Sequence, residues 1–152
     1  MEFKDRRVLI TGAAGIYGRW FAEAFAAEGA RLCLSDNRAE ALAETVRDLK
    51  LDPARTLTHA TELMSEASIL ELAGVVGREW GAPDILLNNA GIYPGKLLLE
   101  TTTEEYDTIL GVNVRAVFIL TREMAKLMVA EGVKGNVINV SSGASRKMRP
   151  SR

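Results

Sequence analysis

The chain has 152 residues, 47% of them hydrophobic, with 20 acids against 19 bases and a net charge of −1. That balance suits one folded domain with a sizeable core, and it argues against a disordered chain or a nucleic-acid binder driven by bulk positive charge. No apolar run approaches the roughly 20 residues that span a bilayer, the opening MEFKDRR has no signal-peptide core behind it, and the single cysteine, Cys33, cannot form an internal disulfide; we expect a cytoplasmic protein without membrane contact.

The first element pair is the most informative. Residues 7–36 read as a short apolar strand that breaks into Thr11-Gly12-Ala-Ala-Gly15-Ile16-Tyr17-Gly18, continues as a helix from about Tyr17 to Glu28, stops at Gly29, and returns as a second strand ending in Asp36. Glycines at 12, 15 and 18 let the backbone turn sharply and let a pyrophosphate approach main-chain N–H groups at the helix N-terminus. Asp36 stands where a carboxylate accepts from an adenosine ribose. Strand, glycine turn, helix, strand and acid in that order constitute a dinucleotide-binding unit.

Further along, short apolar runs at 56–60, 85–87 and 136–140 alternate with helical patterns and are expected to be parallel strands buried on both faces. A second helix spaces Ala39, Leu42, Val46 and Leu49 as one apolar stripe. A third opens at Ser65, a good N-cap, and carries Ile69, Leu72, Ala73, Val76 and Trp80 inward. The fourth helical region begins after Thr103 with Glu104 and Glu105 in its first turn and extends toward Glu131, with a kink or break expected at Gly111 and Asn113. The fold class is therefore α/β: a doubly wound parallel (Rossmann) sheet of five strands with right-handed crossovers, order 3-2-1-4-5. Residues 1–152 are expected to form a single dinucleotide-binding domain, incomplete at its C-terminus and ending after strand five.

His59, the only histidine, has no second His or Cys to make a metal site and is assigned a structural or surface role; no metal is expected. Arg146, Lys147, Arg149 and Arg152 gather in the tail without an acid, but a run this short reads as a solvated loop and not as a nucleic-acid arm.

Two more motifs stand at the ends of central strands: Asn88-Asn89-Ala90-Gly91 and Asn139-Val140-Ser141-Ser142-Gly143. With Asn113 and the glycine turn, they make the chain resemble the short-chain dehydrogenase/reductase family over nearly its whole length and in the expected order. The resemblance implies an oxidoreductase that moves hydride between a nicotinamide cofactor and an alcohol or ketone. It implies cofactor contacts from Thr11, Gly12, Gly15, Ile16, Tyr17, Gly18 and Asp36, with Asn89, Ala90 and Gly91 lining the adenosine. Glu62 takes the place of an Asp that the family usually sets against the adenine. Asp36 favours NAD over NADP, while Arg38 nearby leaves NADP open. Ser142 matches the residue that holds the substrate oxygen, and Asn113 the one that organises a water relay.

Some positions depart from the family pattern. Ile16 stands where a glycine is usual, so the turn follows TGxxGxxG, the spacing of the extended branch of sugar-nucleotide epimerases and dehydratases. The Asn-Asn-Ala-Gly stretch and Asn113-Val114 resemble the compact branch, which we favour. The catalytic Tyr-x-x-x-Lys pair is expected beyond Arg152, and none of Tyr17, Tyr93 or Tyr106 has a Lys four residues on. Tyr93 and Lys96 do not reproduce a helical pair. The 152 residues alone are thus expected to bind cofactor with little or no turnover. A non-catalytic nucleotide-binding module and an interaction module completed by another chain are the alternatives. The open edge of the last strand, and Val117, Phe118, Met124, Leu127 and Met128 on the long helix, favour a homo-oligomer, although that spacing also suits ordinary core.

Overall fold

The computed structural model describes residues 2–143. The basic tail from Arg146 to Arg152 lies outside the described residues.

Five strands, β1 (Arg7–Thr11), β2 (Arg31–Asp36), β3 (Thr56–Ala60), β4 (Ile85–Asn88) and β5 (Asn136–Asn139), form one parallel sheet in the order β3-β2-β1-β4-β5. The expected topology is the observed one. Register aligns Leu57, Cys33, Leu9, Leu86 and Val137 in a single row across the sheet. Because successive side chains leave a strand on opposite faces, the central strands feed two cores. Leu9, Cys33 and Leu86 pack under α3 (Glu66–Trp80) and α5 (Ala116–Ala130). Val8, Ile10, Leu32, Leu34, Ile85 and Leu87 pack under α1 (Ile16–Ala27) and α2 (Ala39–Asp48).

The helices end where the chain can turn left-handed. After α1, Gly29 at φ +80° and Ala30 donate to the carbonyls of Ala26 and Phe25, the two bonds of a Schellman motif. Lys50, at φ +51°, closes α2 by the same pair of bonds, with no glycine to relieve the conformation. Ser65 caps α3 by accepting from the N–H of Ser68, and Ile69, Leu72, Ala73, Val76 and Trp80 are all buried, as the sequence stripe requires.

Three expectations need correction. The α2 stripe runs through Leu42 and Thr45, with Val46 partly buried and Ala39 exposed, because Thr45 turns its hydroxyl back to the Ala41 carbonyl and can therefore enter the core. The edge strands are not buried on both faces: β3 is only partly covered and every residue of β5 is exposed. Each has a strand neighbour on one side only among the described residues. The face of α5 expected to serve a twin is divided, since Met124 and Met128 are in the core while Phe118 is 63% exposed.

The long helical region breaks where Gly111 and Asn113 suggested. α4 (Thr103–Leu110) opens with a capping box between Thr102 and Glu105, a π-helical turn occupies Gly111–Arg115, and α5 follows. The thioether of Met64, a flexible and partly exposed side chain, lies over Gly111.

Candidate cofactor cleft

The glycine turn is stitched to its neighbours on two sides. Toward β4, Thr11 Oγ1 accepts from the N–H groups of Asn89 and Ala90, both at 3.1 Å, while Asn89 Nδ2 donates to the carbonyls of Thr11 (3.0 Å) and Gly12 (3.2 Å). Toward β2, the N–H of Ala13 donates to the Ser35 carbonyl at 3.0 Å and the N–H of Ala14 to Asp36 Oδ2 at 3.1 Å. Gly12 sits at φ +64° with the Ala90 backbone against it, so a Cβ there would come within 2.8 Å of Ala90 Cα. Gly18 has no such backbone demand; it is the carbonyl of Gly12 that leaves no room. No side chain caps α1 at Gly15, so the first-turn N–H groups and the positive end of the dipole serve the loop side of the helix.

These constraints leave a crevice of about 490 Å³ at the carboxyl ends of β1, β2 and β4. The sequence-derived residues Gly12, Gly15, Ile16, Tyr17 and Gly18 line one part, Asp36 and Glu62 another, and Asn89, Ala90 and Gly91 a third. Thr11 lies buried behind this wall as its anchor. Ile16 is 71% exposed, in a backbone conformation that tolerates a side chain, so the missing glycine alters the crevice lining and not the course of the chain. Glu62 Oε1 accepts from the N–H of Met64, which turns the chain after β3 into α3. Asp36 is buried, and its carboxylate is held by Ala14 and by Arg38, whose guanidinium in turn is held further in its charged form by that hydrogen bond.

A second cleft of about 1100 Å³ shares Tyr17 and Asn89–Ile92 with the first and brings Asn113 and Ser142 to one cavity, together with Phe118, Thr121 and Asn139. Asn113 braces its wall: Oδ1 accepts from the Ile92 N–H and Nδ2 donates to the Ile92 carbonyl, each at 2.9 Å. Asn88 Nδ2 crosses to Asn139 Oδ1 (2.8 Å) and Thr121 Oγ1 (3.1 Å), tying β4 to β5 and α5 beneath the same cavity. Lys96 pairs with Glu105 and Tyr93 is almost fully exposed, so the two do not form a proton-transfer pair. His59 Nδ1 lies 2.8 Å from Thr61 Oγ1 at the end of β3, in a structural position.

Ile92, Val112 and Thr121 were not singled out from the sequence. Ile92 directly follows the Asn-Asn-Ala-Gly stretch and was the most accessible of these; Val112 and Thr121 carry no local signal of a site.

The chain matches the family model described as short chain dehydrogenase over residues 6–152. It is 35% identical to a sorbitol dehydrogenase of Cereibacter sphaeroides over 97% of this chain and 56% of that protein, so it spans about half the length of this curated relative. Among solved structures it resembles a short-chain dehydrogenase/reductase of the glucose/ribitol dehydrogenase type from Brucella melitensis (TM-score 0.90, 27% identity, 99% of this chain, 62% of that one). It also resembles a 3-ketoacyl-(acyl-carrier-protein) reductase from the same organism, solved with NADH (TM-score 0.86, 30% identity, 97% of this chain, 62% of that one). With sheet order, glycine turn and family model in agreement, the chain belongs to the short-chain dehydrogenase/reductase family.

Proposed function

We propose that residues 1–152 act as the dinucleotide-binding domain of an oxidoreductase that transfers hydride between a nicotinamide cofactor and a secondary alcohol or ketone, with NAD preferred. The observation that carries this reading is the pairing, in one crevice, of the glycine turn that opens α1 with a buried carboxylate at Asp36. The NADH complex of the Brucella reductase supports the cofactor class. The sorbitol and glucose/ribitol enzymes among its relatives favour a polyhydroxylated substrate.

In this reading the first-turn N–H groups of α1 and the loop glycines hold the pyrophosphate. Asp36 accepts from the adenosine ribose hydroxyls, and Asn89–Gly91 with Glu62 and Leu63 enclose the adenosine. The cofactor, when bound, supplies or accepts the hydride. Ser142, exposed at the end of β5, donates to the substrate oxygen. Asn113, braced against Ile92 through its side-chain amide, organises the water relay beside it.

The 152 residues contain no Tyr-x-x-x-Lys pair. We therefore expect this chain to bind NAD without turnover, because a positioned general acid and base contributes about 10² to 10⁴ in rate. Titration calorimetry with NAD tests the cofactor reading: heat of binding is expected, and none at millimolar cofactor overturns it. Asp36→Ala is expected to shift the NAD-to-NADP affinity ratio toward NADP. The exposed Phe118 and Val129, with β5, support a homo-oligomer; a monomer in sedimentation at high concentration would count against that assembly.

A further inference from the structure

Hydrogen bonds pin the main chain between β3 and α3. The N–H of Glu62 donates to Ser68 Oγ, that of Met64 to Glu62 Oε1 and that of Ser65 to the Glu62 carbonyl, each at 3.0 Å. The Met64 side chain is the movable part of this turn. Its sulfur and methyl lie over Gly111, the first residue of the π-helical turn, in the space a side chain would take there. The residues beside these two, Leu63 and Val112, both line the cofactor crevice. The thioether contact therefore ties the β3–α3 turn to the π-helical turn at the end of the crevice that holds Glu62. Of the methionines among the described residues, Met124 and Met128 are buried in the core, whereas Met64 is 43% exposed.

Resting on the cofactor reading above, we propose that Met64 is an oxidation site whose sulfoxide loosens the crevice and weakens NAD binding. The oxidant is hydrogen peroxide: its O–O bond breaks, one oxygen atom bonds to Sδ through a sulfur lone pair, and the other leaves as water, so that the thioether is oxidised by two electrons and the peroxide reduced. The product is a polar, chiral side chain in place of a soft apolar one. Against Gly111 the new oxygen finds no donor, because the Gly111 N–H is already given to the Asp107 carbonyl. A polar atom desolvated without a partner is costly, so the sulfoxide swings out to water. The pinned main chain of the turn does not follow it, and the contact between the two walls is lost. Cys33 does not compete for the oxidant, since its thiol is buried and held protonated.

The test treats the 152-residue chain with hydrogen peroxide until peptide mass mapping shows one added oxygen atom on Met64, then titrates it with NAD by calorimetry beside the untreated chain. Met64→Leu, which keeps an apolar side chain without the sulfur, is taken through the same treatment. The oxidised wild type is expected to bind NAD about fivefold more weakly, the scale of one partly buried apolar contact. Met64→Leu is expected to bind like the untreated wild type before and after peroxide, and methionine sulfoxide reductases acting on both epimers are expected to restore the wild type. Unchanged affinity with Met64 fully oxidised, equal weakening in treated Met64→Leu, or a Met64 that resists peroxide in the folded chain overturns the proposal. An affinity loss that comes with a collapsed urea midpoint overturns it too, since the device acts on one contact and not on the fold. An untreated chain that binds no NAD defeats the cofactor reading itself, whereas binding that survives oxidation defeats this proposal alone.

Discussion

A Cβ built on Gly18 would lie 2.1 Å from the carbonyl oxygen of Gly12, whereas one on Gly15 would lie 3.3 Å from the same oxygen. The two glycines of one motif therefore answer to different demands. Gly18 lets the first turn of α1 settle on the loop; Gly15 keeps the crevice side open. Gly18→Ala is expected to destabilise the fold by about 3 kcal/mol, at the upper end of overpacking costs. Gly15→Ala is expected to cost about 1 kcal/mol or less as an N-cap change while weakening NAD binding markedly. Urea unfolding alongside calorimetry separates them, and equal stability loss in both variants would refute the division.

Lys50 holds a left-handed conformation at φ +51° while completing the Schellman bonds at the end of α2. A side chain in that region carries a steric cost that glycine avoids. Lys50→Gly is expected to stabilise the chain by about 0.5–1 kcal/mol, net of glycine's greater unfolded-state entropy. A lower urea midpoint for the variant would contradict this.

Cys33 is fully buried in the sheet row between Leu9 and Leu57, and burial pushes its thiol up to about 12. The thiolate is the reactive form. We expect no labelling of the native chain by a thiol reagent at pH 8 and one equivalent after denaturation. Rapid native labelling would mean that the core opens around β2.

Asp84 joins β4 to the start of β1 through Arg7, accepting from its Nε and main-chain N–H at 2.8 and 2.9 Å, while Arg7 Nη1 reaches the Trp80 carbonyl at 2.6 Å. Burial alone would raise the carboxyl; the hydrogen bonds and charge of Arg7, with help from Arg6, outweigh it and hold Asp84 below the usual carboxylate range. A depressed native value means the stabilisation is full above the unfolded-state value near ~3.9 and is lost as pH falls through the native one. Asp84→Asn is expected to cost about 1.5–3 kcal/mol at pH 7 and progressively less below pH ~4. Urea melts at both pH values decide it; a cost independent of pH would contradict the linkage.

The α3 stripe was fully legible because a 3.6-residue period and a Ser cap act within one helix, and each of Ile69, Leu72, Ala73, Val76 and Trp80 is buried. The α2 stripe was less so, since a threonine can enter a core once its hydroxyl is satisfied, as Thr45 does on Ala41. The glycine turn and Asp36 could be located for a similar local reason, and the break at Gly111 could be anticipated. That the break would take π-helical form, with Met64 seated on Gly111 and Asn113 clamped to Ile92, could not.

The amino-acid order by itself determined the strand–helix alternation and the candidate residues at the strand ends, because periodicity and glycine sterics act over short stretches of chain; the 3-2-1-4-5 order was anticipated only through the topology rules of doubly wound sheets. Only the tertiary structure decided which strands lie exposed at the edges, that Asn89 stitches β4 to Thr11 and Gly12, and that Asp36 and Ala14 share a bond across the crevice. Those contacts join residues 22 to 78 positions apart, and hydrogen bonds of 3 Å between such partners follow from how packed layers bring strand ends together, which no local pattern encodes.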